Sequence, residues 1–351
     1  MAERVVIVAL GACTPVGRDA WSSAAAVRAG ISGFVQHPYM IDTAGEPMRA
    51  AIAPWIDIGL SGADRLEALL FPAVEQALEP VAATPAAPLK MAFALGLPSP
   101  RPGLPEDIQR QMMSRINKRF ARRFGTAAAF AAGHAAGLIA LQAAATKLGQ
   151  GALDACVVAG VDSYIEPLTL EWLEECDQLH SAGRLNNAWG FVPGEAGAAL
   201  LVMRESIAKA AELQPLAIVL GTGTATEPKR IKTKTVCIGE GLTQAFRATL
   251  AALPADTKIT DVYCDMNGEP YRGDEFGFTA LRTKECFESA SDFVAPADCW
   301  GDVAAAGGPL DVMLATIAGR KGYANGNLAF AWASAESGER AATLIATEGR
   351  G

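Results

Sequence analysis

Apolar stretches with strand character alternate with stretches of helical periodicity along the whole chain. In the first half the pattern predicts a strand over Val5–Leu10, a helix over Asp64–Leu78 and a strand over Met91–Leu95. Helices over Glu106–Arg123 and His134–Leu148 follow, then strands over Ala155–Ala159 and Ala198–Met203. The second half predicts a strand over Leu216–Leu220, a helix over Glu240–Ala252 and a strand over Asp261–Asp265. Helices over Asp274–Glu288 and Val303–Ala318 follow, then strands over Leu328–Trp332 and Ala341–Ile345. The two series agree element for element, without residue-level identity, so the repeat is one of pattern. Alternation of this kind predicts an α/β protein with mainly parallel, buried sheets covered by helices. Duplication predicts one pseudo-symmetric body with halves 1–205 and 206–351, joined near Glu205–Pro215.

In such sheets ligands gather at the carboxyl ends of strands and the N-termini of helices. Four junctions qualify: Gly11–Thr14, Gly133–Gly137, Asp265–Gly273 and Cys299–Gly308. Composition trims the function classes. Hydrophobic residues make up 50% and charged ones 19% of the 351, the balance of a folded globular chain. No apolar run reaches the ~18 residues of a membrane span, and the apolar start reads as a strand, too short for a signal peptide. Thirty basic against 38 acidic residues give a net charge of −8, which argues against nucleic acid as main partner. Seven cysteines without CxxC spacing point to free thiols in a reducing cytoplasm. The only histidines are His37, His134 and His180, too few for a three-His metal site. Gly221–Pro228 (GTGTATEP) follows a predicted strand but is not GxGxxG, and no cofactor is expected.

Three segments carry a resemblance. Val5–Phe34 (VVIVALGACTPVGRDAWSSAAAVRAGISGF) and Gly190–Glu205 (GFVPGEAGAALLVMRE) resemble two blocks of the β-ketoacyl synthases, condensing enzymes of the thiolase-like superfamily. Leu153–Pro167 (LDACVVAGVDSYIEP) resembles the strand after their nucleophile helix. The resemblance implies a thiolase-like five-layer αβαβα fold and a dimer formed at the sheet edge of the nucleophile half. In that family a Cys at a helix start takes the acyl chain as a thioester, and two His with, usually, a Lys assist decarboxylation. Carried over by position, the Cys falls on His134, followed by the expected Gly137. The two His positions fall on Asn267 and Asp302, and the Lys on Ala297. The C-terminal gate has no clear match, with Ser337, Gly338 and Glu339 nearby. Glu195 matches a support position. Without a thiol at 134, condensation by the family mechanism is not expected.

The duplication puts His134 and Asp302 at equivalent helix N-termini, with Asn267 between strand and helix. Together they resemble the base-and-orienter part of a hydrolytic triad without its nucleophile. Bland readings stand beside this: a buried polar His, an Asp cap and an Asn turn residue. A metal held by His134, Asp302, Asp265 and Glu269 would have mostly oxygen ligands and no known spacing. Cys264 and Cys299 lie at the ends of segments that should border the pocket and Cys13 at the end of the first strand, each either a nucleophile or, more in keeping with small buried thiols, a hydrophobe. Two basic clusters, Arg115–Lys118–Arg119–Arg122–Arg123 and Lys229–Arg230–Lys232–Lys234, offer docking for an acidic acyl carrier protein or form solvated faces. Arg119, Arg122 and Arg123 are the carrier-docking candidates. Three readings follow. One is a ketosynthase-like, non-condensing partner, self-paired or paired with an active ketosynthase as chain-length factors are. Another is an acyl-thioester hydrolase, decarboxylase or acyltransferase built on His134, Asn267 and Asp302. The last is a condensing enzyme whose nucleophile lies elsewhere. Whether the chain catalyses anything stays open at this point.

Overall fold

The computed structural model describes residues 3–82, 89–120, 123–183 and 186–347. Its strands are β1 (Val5–Cys13), β2 (Phe34–Ile41), β3 (Pro47–Ala51), β4 (Met91–Leu97), β5 (Thr126–Ala131), β6 (Ala155–Ser163), β7 (Glu195–Arg204), β8 (Ala217–Thr226), β9 (Asp261–Cys264), β10 (Leu328–Ser334) and β11 (Glu339–Thr347). Its helices are α1 (Ala20–Arg28), α2 (Gly62–Ala82), α3 (Ile108–Arg119), α4 (Ala136–Gly149), α5 (Pro167–Glu175), α6 (Glu205–Ala210), α7 (Glu240–Leu250), α8 (Pro270–Thr283), α9 (Ala297–Trp300) and α10 (Gly307–Lys321).

Nine strands run in the order β5-β4-β6-β7-β1-β8-β11-β10-β9. The order is palindromic about the β1–β8 contact. Outward from it, each side shows two antiparallel pairings (β1–β7 and β7–β6; β8–β11 and β11–β10) and then a parallel one (β6–β4; β10–β9). Among the described residues, strand pairing joins the two sides only between Val5–Ile7 and Ala217–Val219. This is the duplication the sequence pattern predicts. The expectation of mainly parallel sheets is corrected: antiparallel pairings outnumber parallel ones. The cause is that β7 and β11 return against their predecessors, β11 through a turn of four residues, so each half contains one reversed strand.

Helices α4 and α10 pack on each other and touch strands from both sides, whereas α2 covers β1, β7 and β6 and α7 covers β8 and β11. The layers therefore run α2 with α3, five strands, α4 with α10, four strands, α7 with α8. The innermost core gathers Leu138, Leu141, Leu310, Met313 and Ile317 from the two central helices with Val158, Leu200 and Ile345 from the strands. Both central helices are apolar nearly all round, as a layer buried on two faces requires. Gly137 explains their close approach, because a Cβ there would stand 2.2 Å from Pro309 Cδ of α10.

Sequence periodicity misses the hairpin β2–β3, the short helices and β5. The alanine-rich segment 126–131 reads as packing rather than strand, since alanine carries little strand preference. Its backbone nonetheless pairs in parallel with β4, leaving one strand edge and mostly exposed side chains at the end of the sheet. Helix α2 continues past the predicted end at Leu78 and accommodates Pro72 and Pro80. Helix α3 stops at Arg119, so the predicted helix to Arg123 is too long.

Candidate functional site

The carboxyl ends of β9 and β10 and the N-termini of α4 and α10 meet at one place. Each central helix is entered through a tight 3-10 turn, Gly133–Ala135 before α4 and Ala304–Ala306 before α10. Each turn starts from a left-handed residue, Gly133 with φ 52° and Ala304 with φ 36°. Glycine takes that conformation freely, whereas alanine is strained in it. The two helix starts are equivalent, as the duplication predicts, but the two candidate residues are not. His134 follows the left-handed residue by one and Asp302 precedes its counterpart by two, so the position matching His134 is Ala305.

The turns nonetheless bring the two side chains together. His134 Nε2 lies 2.9 Å from both Asp302 Oδ1 and Oδ2. Two carboxylate oxygens facing one nitrogen require that nitrogen to carry hydrogen, so Nε2–H donates. Nδ1 has no partner among the described residues, and the ring lines a cavity of about 290 Å³. Asn267 completes the predicted trio: its Nδ2 donates to Asp302 Oδ2 at 2.7 Å and to Glu269 Oε2 at 3.0 Å. Asp302 also caps the turn after it through Ala304 N–H at 2.9 Å, and its backbone is pinned to Val192 and Gly194. The Pro193-Gly194-Glu195 segment thus fixes Asp302. A Cβ at Gly194 would reach to 2.2 Å from Trp300 O.

Burial opposes the charge on Asp302, but His134, Arg272 and the Asn267 hydrogen bond outweigh it and hold the carboxyl well below its usual range. Arg272, in the first turn of α8, is the residue sequence reasoning overlooked. Its guanidinium is buried, with Nη2 3.1 Å from His134 Nε2, Nη1 2.8 Å from Asp265 Oδ2 and Nε 3.5 Å from Glu269 Oε2. It therefore stands among the four residues of the metal reading and supplies the positive charge an ion would have brought, which removes that reading. The one signal in the sequence was the spacing of Asp265, Glu269 and Arg272 around a strand end and a helix start. Glu269 is held ionised against burial by Arg272 and Lys232. Lys232 bridges Glu269 at 3.0 Å and Glu336 at 2.5 Å above the site.

Glu195 stands apart from the cavity. It is fully buried and bidentate to Arg65, at 2.6 and 2.7 Å, and it accepts from Ala53 N–H and Ser163 Oγ, tying β7 to α2 and β6. No cysteine lines the 290 Å³ cavity. Cys264 borders only a neighbouring void of about 20 Å³, and burial pushes its thiol far up. Cys13 accepts from Trp55 Nε1, and Cys299 lies against Val27 O. On α3, Arg115 is paired with Asp64 and Glu67 and Arg119 with Glu75, while Arg123 is exposed. Arg122 lies outside the described residues.

Residues 101–208 match the N-terminal domain family of the β-ketoacyl synthases. No curated protein sequence matches the chain. Among solved structures the chain is similar to AntDE:AntF (apo), a type II PKS acyl-carrier protein in complex with its ketosynthase bound to the hexaketide, with 14% identity, TM-score 0.82, and 99% of this chain and 100% of that one covered. It is similar to the ishigamide ketosynthase/chain length factor, with 19% identity, TM-score 0.71 and the same coverage. It is also similar to the ketosynthase from module 6 of the bacillaene synthase of Bacillus subtilis 168, with 16% identity, TM-score 0.75, and 98% and 72% covered. Among the described residues no helix is long and apolar enough to cross a membrane. The chain has the thiolase-like fold of these ketosynthases, and its residues 101–208 match the model of the β-ketoacyl synthase N-terminal domain.

Proposed function

We propose that the chain is a non-condensing member of this fold that acts as a chain-length-factor-like partner in fatty-acid or polyketide-type metabolism. One observation carries the reading. The helix start where the resemblance puts the acyl-accepting thiol holds His134, tied through Nε2 to Asp302, and no cysteine lines the cavity beside it. A thioester intermediate needs a reachable thiolate, and burial holds Cys264 in its neutral form. The two ketosynthase complexes matched over their full chain length include a ketosynthase/chain length factor.

The exposed edge of β5 supports pairing with a second sheet, in a homodimer or with an active ketosynthase. We divide the chain at Glu205 into halves 1–205 and 206–351 that form one body. Carrier docking fits the exposed Arg230 and Lys234 of the second basic cluster and the exposed Arg123 on the first, because Arg119 is already paired. Seven unpaired thiols suit a reducing cytoplasm.

A second reading is favoured by the His134 geometry. Asp302 holds the imidazole through Nε2 and the ring lines the cavity, an arrangement that suits a general base activating water against an acyl thioester. Incubation with acylated carrier protein followed by intact mass separates the readings. The non-condensing reading expects no covalent adduct and no loss of thioester; an acyl adduct would sink it. Thioester hydrolysis that disappears in His134→Ala, with the fold retained, would favour the second reading. Copurification with a cysteine-containing ketosynthase, or a dimer by light scattering, checks the pairing; a lone monomer at micromolar concentration refutes it.

A further inference from the structure

Away from the His134 cavity, a second group of reactive side chains gathers where the loop after β8 enters α7. Glu227 directly follows β8, Cys237 stands in the loop before α7, and Glu275 sits in the second turn of α8. Both glutamates are buried and Cys237 is half-buried. One carboxylate oxygen of each glutamate and Cys237 Sγ all lie within 4.8 Å of one another. Sγ is already 3.6 Å from Glu275 Oε1. Around a tetrahedral ion with bonds of about 2.0–2.3 Å, ligand atoms stand roughly 3.5 Å apart, so a small turn of the side chains closes the set. Glu227 is held from behind: Oε1 accepts from Lys229 N–H at 3.1 Å and Oε2 from Gly241 N–H at 2.6 Å. Each of its oxygens keeps a lone pair, and hydrogen bonds of this kind orient metal-binding carboxylates.

Two acids and a thiol do not make a site by themselves; the contact between Glu275 and Arg340 is what points to a ligand. Arg340 Nε donates to Glu275 Oε1 at 2.7 Å, with both side chains at most 1% exposed. A guanidinium that meets a carboxylate in this way commonly closes a second, parallel bond to the other oxygen. Here Glu275 Oε2 and Arg340 Nη2 both lack a partner among the described residues. A buried carboxylate oxygen left bare is costly. Charge points the same way. Two glutamates face the single positive charge of Arg340, because Lys229 alongside pairs with Glu240 at 3.2 Å. With Cys237 as a thiolate the group would carry two uncompensated negative charges, which a divalent cation cancels. A soft sulfur ligand selects zinc over magnesium or calcium. We propose that Glu227, Cys237 and Glu275 hold one zinc-type divalent ion, with water in the fourth position, and that this ion braces the loop between β8 and α7. Burial, aided by Glu275 and Glu227, pushes the Cys237 thiol up to about 11. Ion binding forms the sulfur–metal bond and releases the thiol proton to solvent. The same loop carries Lys232, which bridges Glu269 and Glu336, so the ion would also steady those contacts above the His134 site.

The test strips the whole chain with a chelator and titrates cobalt(II), whose bond to a thiolate gives a charge-transfer absorption in the near ultraviolet. One equivalent of cobalt should produce that band with a micromolar or tighter Kd, and zinc should displace it. Glu275 variants would strand Arg340, so Cys237→Ser is the informative change. It should keep the metal-free melting temperature within a few degrees, lose the band and weaken zinc binding at least tenfold. Zinc should raise the wild-type melting temperature by several degrees and slow tryptic cleavage between Lys229 and Lys234 severalfold, with neither effect in Cys237→Ser. No band, a band that persists in Cys237→Ser, or calcium that stabilises as much as zinc overturns the site. Cleavage unchanged by zinc overturns the bracing of the loop. His134→Ala should bind cobalt as the wild type does, whatever the His134 cavity is for. Loss of the band in that variant would put the ion at the cavity instead and overturn the site as described.

Discussion

The two turns that enter the central helices are the same backbone used for different ends. Before α4 the left-handed position is Gly133 and the next side chain, His134, opens onto a cavity. Before α10 the left-handed position is Ala304 and the next is the small Ala305, whose carbonyl packs against Gly160 and Gly137. One turn carries a polar side chain at the helix start. The other has become packing, and its polar residue has moved two positions upstream to Asp302. The lesson is that duplication preserves the chain path while chemistry is distributed asymmetrically over it. A buried acid–base pair then arises across the pseudo-axis rather than within either half.

The largest expected effect breaks the contact between the turns. Asp302→Ala leaves His134 and Asn267 without the carboxylate to which both donate and should cost about 3–5 kcal/mol in urea unfolding at pH 7. Because the Asp302 carboxyl is depressed in the folded protein, its contribution is complete above the ordinary unfolded value near ~4 and is lost as pH falls through the folded one. The gap between wild type and Asp302→Asn should therefore narrow on acidification; a gap that widens toward low pH contradicts the assignment.

Next comes the left-handed position of the first turn. Gly133→Ala puts a Cβ into φ 52° and 2.9 Å from Ser99 Oγ, and should cost about 1–3 kcal/mol. A cost below ~0.5 kcal/mol would mean that the turn is not held as described.

A smaller and opposite effect is expected deeper in α10. Burial and the neighbouring Asp265 push the Asp311 carboxyl far up, so it stays protonated in the fold while the unfolded chain ionises it. Its stability is thus fully present below the unfolded value and lost as pH rises. Asp311→Asn removes that loss and should raise the melting temperature at pH 7 by a few degrees, about 2 °C per kcal/mol. The gain should vanish below about pH 4, and an unchanged melting temperature at pH 7 refutes the account. The smallest effect mirrors the glycine result: Ala304→Gly should relieve up to about 1 kcal/mol of strain. A clear destabilisation there would show that the alanine methyl contributes more packing than its conformation costs.

Much of this fold was legible because its strands and central helices are long apolar segments of regular period. Leu328–Trp332 or His134–Leu148 can be read from a window of a dozen residues. The β5 strand could not, since alanine has no strand signature and its pairing partner β4 is set by the sheet. At the site, His134, Asn267 and Asp302 were legible as residues standing at strand ends and helix starts, and they do converge. Arg272 was not. A buried arginine violates the polar-outside pattern, and only its carboxylate partners make its burial tolerable.

By itself the sequence determined the alternation of elements, their repetition and the absence of a thiol at the start of α4, because each is a property of neighbouring residues. The tertiary structure alone decided that His134 meets a carboxylate 168 positions away and that a guanidinium stands where a metal reading had been open. Those are relations between segments brought together by the packing of two central helices, and local periodicity carries no information about which side chains will face each other across such a contact.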